Sequence, residues 1–204
     1  MGIPEHERVP ADEFLDWIER QSERYELVEG APVRMMAGAR QSHNVATTNI
    51  VVALAPSAKA KGCRTTSSDT AVITGSFGVR YPDIVVDCGP SDPSAKAATK
   101  PTIVVEVSSP GTLAVDLTDK MDEYQAHDDI RVIMLVEPDV IMVKVYRRDM
   151  RGLWNVERYD GLDQAVALPE VDASISLRDI YDTLEPKSRP RLNVVPETSG
   201  APIP

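Results

Sequence analysis

Thr102-Ile-Val-Val-Glu-Val107 and, a short turn later, Gly111-Thr-Leu-Ala-Val-Asp-Leu-Thr-Asp-Lys-Met-Asp-Glu-Tyr-Gln125 read as a buried strand feeding a helix. At about 100° per residue, Leu113, Leu117, Met121 and Tyr124 fall on one apolar stripe of that helix. Lys120 falls inside the stripe, not on the charged back formed by Asp119, Asp122 and Glu123. A lysine that faces a core loses its hydration, so opposite charge must converge on it. Glu106 interrupts the apolar strand, where an unpaired carboxylate is costly, and Asp83 opens the run Asp83-Ile-Val-Val-Asp-Cys88 directly after Tyr81-Pro82. Two carboxylates on neighbouring strands with a lysine above them suit metal-dependent cleavage of a phosphodiester.

Outward from this centre, residues 10–19 read as a helix with Phe14, Trp17 and Ile18 facing inward. Tyr25-Glu-Leu-Val-Glu29 and Pro32-Val-Arg-Met-Met36 read as a hairpin around Gly30-Ala31. A longer helix over 41–60 has Val45, Ile50, Val51 and Leu54 as apolar positions and ends before Gly62. Strands at 63–66 and 70–74 precede a turn at Gly75 and Gly78, and the strands at 84–88 and 102–107 flank a loop rich in Pro, Ser and Ala, as sheet neighbours would. Arg131-Val-Ile-Met-Leu-Val136 suits a strand covered on both faces, whereas 140–146 alternates with one wetter side. The stretch 153–159 reads as an edge strand, and 175–184 closes the domain. The last segment, 185–204, has five prolines and no apolar period. The expectation is one α/β domain over 1–184, with a mixed, mainly antiparallel central sheet flanked by helices, and a flexible Pro-rich tail over 185–204.

The chain of 204 residues carries a net charge of −10 at pH 7, which argues against coating nucleic acid by bulk charge but not against a local site. Arg147-Arg148 with Arg151, and the basic residues of 187–191, read as solvated surface. Cys63 and Cys88 lie far apart in no CxxC or zinc spacing, so two reduced, buried cysteines are expected, with neither a disulfide framework nor a zinc site. No secretory pattern opens the chain, and no apolar run approaches the roughly 18 residues of a membrane span. A soluble cytoplasmic protein with no membrane partner and no organic cofactor is expected.

Phosphodiester cleavage needs charge neutralisation at the phosphate, an activated water and a stabilised leaving oxygen. Mg²⁺ or Mn²⁺ held by carboxylates supplies all three. Asp83 and Glu106 are the candidate ligands. Period-two alternation puts Glu106 on a face with Val104 and Ser108 and turns the Val107 side chain away, which leaves the Val107 carbonyl as a further candidate ligand. Lys120 would stabilise the phosphate or orient the water. Glu29, at a strand end beside Gly30, is a possible additional acid.

In this order, Glu26-Leu-Val-Glu-Gly30, Pro82-Asp83-Ile-Val-Val86, Val105-Glu-Val-Ser-Ser-Pro-Gly-Thr112, and Asp116 with Lys120 and Tyr124 resemble the successive motifs of the Uma-two restriction endonuclease family. That family belongs to the PD-(D/E)XK nuclease superfamily, and the resemblance runs over residues 25–146. It implies a restriction-endonuclease-like core, divalent-metal hydrolysis of DNA and a homodimer. Asp83 and Glu106 carry over as the motif acids. The superfamily's usual lysine would fall at Ser108, and Lys120 matches the helix position to which the family's lysine has moved. His43 matches a histidine at the helix start and is a candidate contact to substrate phosphate. Tyr124 and Ser108 stand as further candidate substrate contacts, beside plainer roles in core packing and helix capping.

The other residues have plainer readings too. Asp83 after Pro82 suits turn chemistry. Glu106 and Lys120 suit a structural ion pair that holds no metal, and Asp116 is spaced to steer Lys120 from one turn away. The rival functions are a non-catalytic nuclease-like scaffold for binding or assembly, and a metal-dependent phosphoesterase with a non-DNA substrate.

Overall fold

The structure, a computed structural model, describes residues 8–35, 38–108 and 114–189, without the side chains of residues 114–116. In chain order, α1 (Ala11–Ile18) precedes β1 (Tyr25–Val28) and β2 (Ala31–Arg34), and α2 (Gln41–Ala60) leads to β3 (Arg64–Ser67), β4 (Val72–Gly75), β5 (Gly78–Arg80) and β6 (Ile84–Asp87). Next come β7 (Pro101–Val107), α3 (Ala114–Ala126), β8 (Val132–Glu137), β9 (Met142–Arg148) and β10 (Trp154–Tyr159). A hairpin of β11 (Ala165–Leu168) and β12 (Ala173–Ser176) and the single turn α4 (Leu177–Ile180) follow.

Six strands form the main sheet in the order β10-β9-β8-β7-β6-β3, and β2-β1-β5-β4 form a smaller one. Among the described residues, β7 and β8 are the one parallel pair of the main sheet, with Glu106 beside Leu135. Parallel neighbours cannot be joined by a tight turn, and their connection carries α3 across the sheet. Alternation along β7 sends Ile103, Val105 and Val107 toward Ala46, Ile50 and Leu54 of α2. It sends Val104 toward Met121 and Tyr124 of α3, and Glu106 to the hydroxyl of Tyr124. Both faces of β8 are covered, as its continuous apolar run requires. Each aliphatic side chain buried in these layers contributes about 1.5–3 kcal/mol.

α1 lays Phe14 and Leu15 against Leu27 and Val79 of the smaller sheet, with Trp17 at the margin. α2 ends in a paired cap: the Cys63 N–H donates to the Ala58 carbonyl and the Gly62 N–H to that of Lys59, with Gly62 at φ 76°. That cap turns the chain directly into β3.

Several expectations need correction. The hairpin turn is Glu29-Gly30, not Gly30-Ala31, with φ 50° and 85°, and a Cβ on Gly30 would lie 2.6 Å from Cβ of Arg8. Glu123 leaves the charged back of α3 and pairs with Arg80. Cys63 and Cys88 are not reduced: they form a disulfide, because the register Arg64↔Asp87 makes them the next cross-strand pair. The start of the proposed tail is docked, with Lys187 bonded through its backbone to Asp139 and Ile141. Residues 190–204, together with Leu113, the Ser109-to-Thr112 segment and the Asp116 side chain, lie outside the described residues. Arg147 pairs with Glu157 and Glu170, and Arg148 stacks near Trp154, so neither is loose basic surface. Among the described residues, no helix is long and apolar enough to cross a membrane.

Candidate active site

Pro82 ends the chain's approach to β6, and Asp83 sits at the mouth of that strand. The antiparallel register Ile84↔Val105 continues to place Asp83 opposite Glu106. Asp83 Oδ2 accepts the Val107 N–H at 2.7 Å, which ties the acid to the next strand. Its Oδ1 lies 3.1 Å from Nε2 of His43, in the first turn of α2. The hydrogen bond to Asp83 raises the His43 pKa; burial opposes the rise, while the Asp83 charge and the carbonyls of Val107 and Ser108 add to it.

Lys120 is turned inward as its helical position predicts, at 8% exposure. Its Nζ is 3.9 Å from Glu106 Oε1 and 3.0 Å from Oε1 of Glu26, a residue of β1. Glu106 also accepts the Tyr124 hydroxyl at 2.8 Å. Burial pushes the Glu106 carboxyl up to about 7 against the opposing charge of Lys120; Asp83 adds to the rise, the Tyr124 hydrogen bond resists it and Glu26 adds to it. Such a carboxyl is short of positive charge, which a cation would supply.

The structure therefore brings together Asp83, Glu106, Lys120, His43 and the Val107 backbone. It does not bring in Glu29, which is exposed in the hairpin turn and spent on that turn's left-handed backbone. Tyr124 is fully buried and holds Glu106, so it has no surface to offer a substrate. Ser108 donates its hydroxyl to Glu137 at 2.9 Å, a bond to the neighbouring strand.

Sequence reasoning missed Glu26 and Arg80. Both carried a signal: Arg80 stands in a short apolar strand before Tyr81-Pro82, and Glu26 alternates with Leu27 in a strand that had to bury something. Among the described residues, no three His, Cys, Asp or Glu side chains are arranged as metal ligands, so a cation here would rely on two carboxylates and backbone or water oxygens.

The chain is 27% identical over 176 residues to an uncharacterized Synechocystis protein, slr1290, an alignment covering 85% of this chain and 92% of that protein. Its fold is similar to that of a putative nuclease belonging to DUF820 from Anabaena variabilis, with a TM-score of 0.69 and 21% identity over 85% of this chain and 97% of the other. The Uma2 family model, described as "Putative restriction endonuclease", matches residues 11–178. With that match spanning both sheets and the cluster around Lys120, the chain belongs to the Uma2 family.

Proposed function

We propose that this protein is an endonuclease that hydrolyses phosphodiester bonds of DNA with Mg²⁺ or Mn²⁺. The observation that carries the reading is the convergence of Asp83 and Glu106, opposite each other on adjacent strands, with the buried Lys120 ammonium. Family membership and the restriction-endonuclease-like fold support it. Asp83, Glu106 and the Val107 carbonyl are hard oxygen donors of the kind these cations take, and they would hold the ion. When bound, it supplies Lewis-acid charge to the phosphate and lowers the pKa of a coordinated water.

The chain's own residues supply the rest. Lys120 presents positive charge where negative charge grows on the phosphate as water attacks phosphorus and the P–O bond breaks; the departing alkoxide then takes up a proton. Tyr124 holds the Glu106 carboxyl in place through its hydroxyl. His43, whose pKa the Asp83 hydrogen bond raises, stands at the start of α2 as a further contact for the phosphate. A homodimer would present two such sites to the two strands of a duplex, and light scattering in solution tests it.

The deciding experiment is nicking of supercoiled plasmid with Mg²⁺, Mn²⁺ or EDTA by wild type, Asp83→Ala, Glu106→Ala and Lys120→Ala. Metal-dependent cleavage lost in all three folded variants supports the reading. The 3.0 Å Lys120–Glu26 pair favours a second reading, a structural ion cluster in a non-catalytic scaffold. Absence of cleavage by wild type above the level of the variants, with all proteins folded, would favour that scaffold or a phosphoesterase with another substrate.

A further inference from the structure

Among the described residues, Glu26 lies nearer Lys120 than Glu106 does, and it is neither of the acids proposed to hold the cation. Glu26 comes from the smaller sheet, is 6% exposed, and both its oxygens are engaged. Oε1 accepts the Tyr81 N–H at 3.2 Å and lies 3.0 Å from Lys120 Nζ, while Oε2 accepts Nη1 of Arg80 at 3.1 Å. Its orientation is thereby set from two sides before it meets the lysine.

Arg80, on β5 and 1% exposed, reaches the same helix by a second route. Its Nε donates to Glu123 Oε2 at 2.9 Å and its Nη2 to Oε1 at 2.5 Å, and the Thr74 hydroxyl donates to the same carboxylate at 2.6 Å. Glu123 and Lys120 are three positions apart on α3, so they are neighbours on its surface. One guanidinium thus grips the helix that carries Lys120 and orients the carboxylate that grips Lys120 itself. The planar fork of arginine is suited to this double task, and a lysine would not reproduce it.

A lysine side chain has a flexible four-carbon stem, and its ammonium settles where carboxylates hold it. Glu106, at 3.9 Å, is a competing acceptor. If the ammonium closed fully on Glu106, it would neutralise the acid that the cation needs and leave less charge for the phosphate.

We infer that Glu26 and Arg80 are positioning residues that hold the Lys120 ammonium beside Glu106 instead of upon it. The inference deepens the nuclease reading above and rests on it for its catalytic consequence. In the fold, the smaller sheet supplies the hold through Glu26, Arg80 and Thr74, and the main sheet supplies the acids Asp83 and Glu106. Lys120 is where the two meet.

The test uses the full chain and a short DNA duplex with Mg²⁺. Glu26→Gln keeps the size and the acceptor oxygen but removes the charge. It should lower kcat about tenfold or more, in the range of other lost orienting partners, with KM within about twofold of wild type. The double variant Glu26→Gln/Lys120→Ala should be no slower than Lys120→Ala, since a positioning residue has nothing left to position. An unchanged kcat in Glu26→Gln, or fully additive losses in the double variant, overturns the inference. Arg80→Lys, which keeps the charge and loses the fork, should repeat the kcat loss and substitutes for Glu26→Gln if that variant does not fold.

A second readout is independent of cleavage. In protein labelled with ¹⁵N-lysine, the held Lys120 ammonium should give a resonance protected from solvent exchange, assigned by its absence in Lys120→Arg. It should vanish in Glu26→Gln and persist in Glu106→Gln. If wild type cleaves nothing, the nuclease reading fails, and this resonance alone decides the hold: its persistence in Glu26→Gln, or its absence in wild type, overturns it.

Discussion

Nε2 of His43 lies 3.1 Å from Oδ1 of Asp83, which fastens the first turn of α2 to the mouth of β6. The same helix and strand are joined again at their other ends, where the disulfide between Cys63 and Cys88 follows α2 and β6. The helix that covers the main core is therefore tied at both termini to the strand that begins with a proposed metal ligand.

His43 makes the first tie depend on pH. The hydrogen bond to Asp83 raises its folded pKa above the ordinary 6.5 although burial opposes this. A raised folded pKa contributes stability that is fully present below 6.5 and is lost as pH rises through the folded value. Wild type should lose stability from this contact as pH rises from 6 to alkaline values, and His43→Gln should lack that step. Urea denaturation of both proteins across this range measures it. Parallel curves would show that the ring does not titrate with the fold.

The second tie closes a loop with a sequence separation of 25. Chain-entropy reasoning assigns such a cross-link about 3 kcal/mol, acting on the unfolded state. Denaturation with and without reductant should differ by about that amount in wild type, and a Cys63→Ser/Cys88→Ser variant should match reduced wild type and ignore the reductant. A wild type indifferent to reductant would mean that the cross-link does not form in solution.

What could be read in the sequence followed from local period. Lys120 was legible because three neighbours at helical spacing, Leu117, Met121 and Tyr124, define a buried stripe, and Glu106 because strand alternation sets it opposite Val105. The Cys63–Cys88 bond was not legible, because no motif marks it; only the register of β3 on β6 does, and register emerges from the whole sheet. Glu29 stood as a candidate acid because it was read as a strand end and not as the first residue of the turn. Its exposure follows from the turn at Glu29-Gly30, whereas Glu26 is buried because strand alternation sends it to the face packed against Lys120. Arg80 and Glu123 are 43 positions apart, and nothing local predicts a pair at that distance.

Arg80 tests the energetic weight of the network. Its guanidinium is buried between Glu26 and Glu123, so Arg80→Met takes the arginine charge from both carboxylates and leaves Glu123 with the Thr74 hydroxyl. Breaking a buried pair from one side costs about 3–5 kcal/mol. The exposed pair of Arg34 and Glu23 provides the contrast, since Arg34→Met should cost less than about 1 kcal/mol. Equal losses in the two variants, measured by urea denaturation at pH 7, would mean that Arg80 is solvated enough to release its partners without penalty.

Glu106 links the proposed chemistry to stability with a definite sign. Burial, chiefly, moves its carboxyl from 4.5 to about 7, so the folded protein binds a proton that the unfolded chain has released. This raised pKa contributes stability that is present below 4.5 and is lost as pH rises to about 7, the direction opposite to that of a salt-bridged acid. The shift corresponds to a loss on the order of 3 kcal/mol across that window. Glu106→Gln, which cannot ionise, should be flat through the window and more stable than wild type at pH 8, where the wild-type acid is charged and buried. Tyr124→Phe removes the phenol that stabilises the carboxylate and should move the wild-type loss to lower stability at neutral pH, extending it to higher pH. Denaturation curves from pH 4.5 to pH 8.5 for the three proteins, in EDTA, read all of this. A wild type whose stability rises through the window would show Glu106 ionised throughout, held by Lys120 as a plain ion pair.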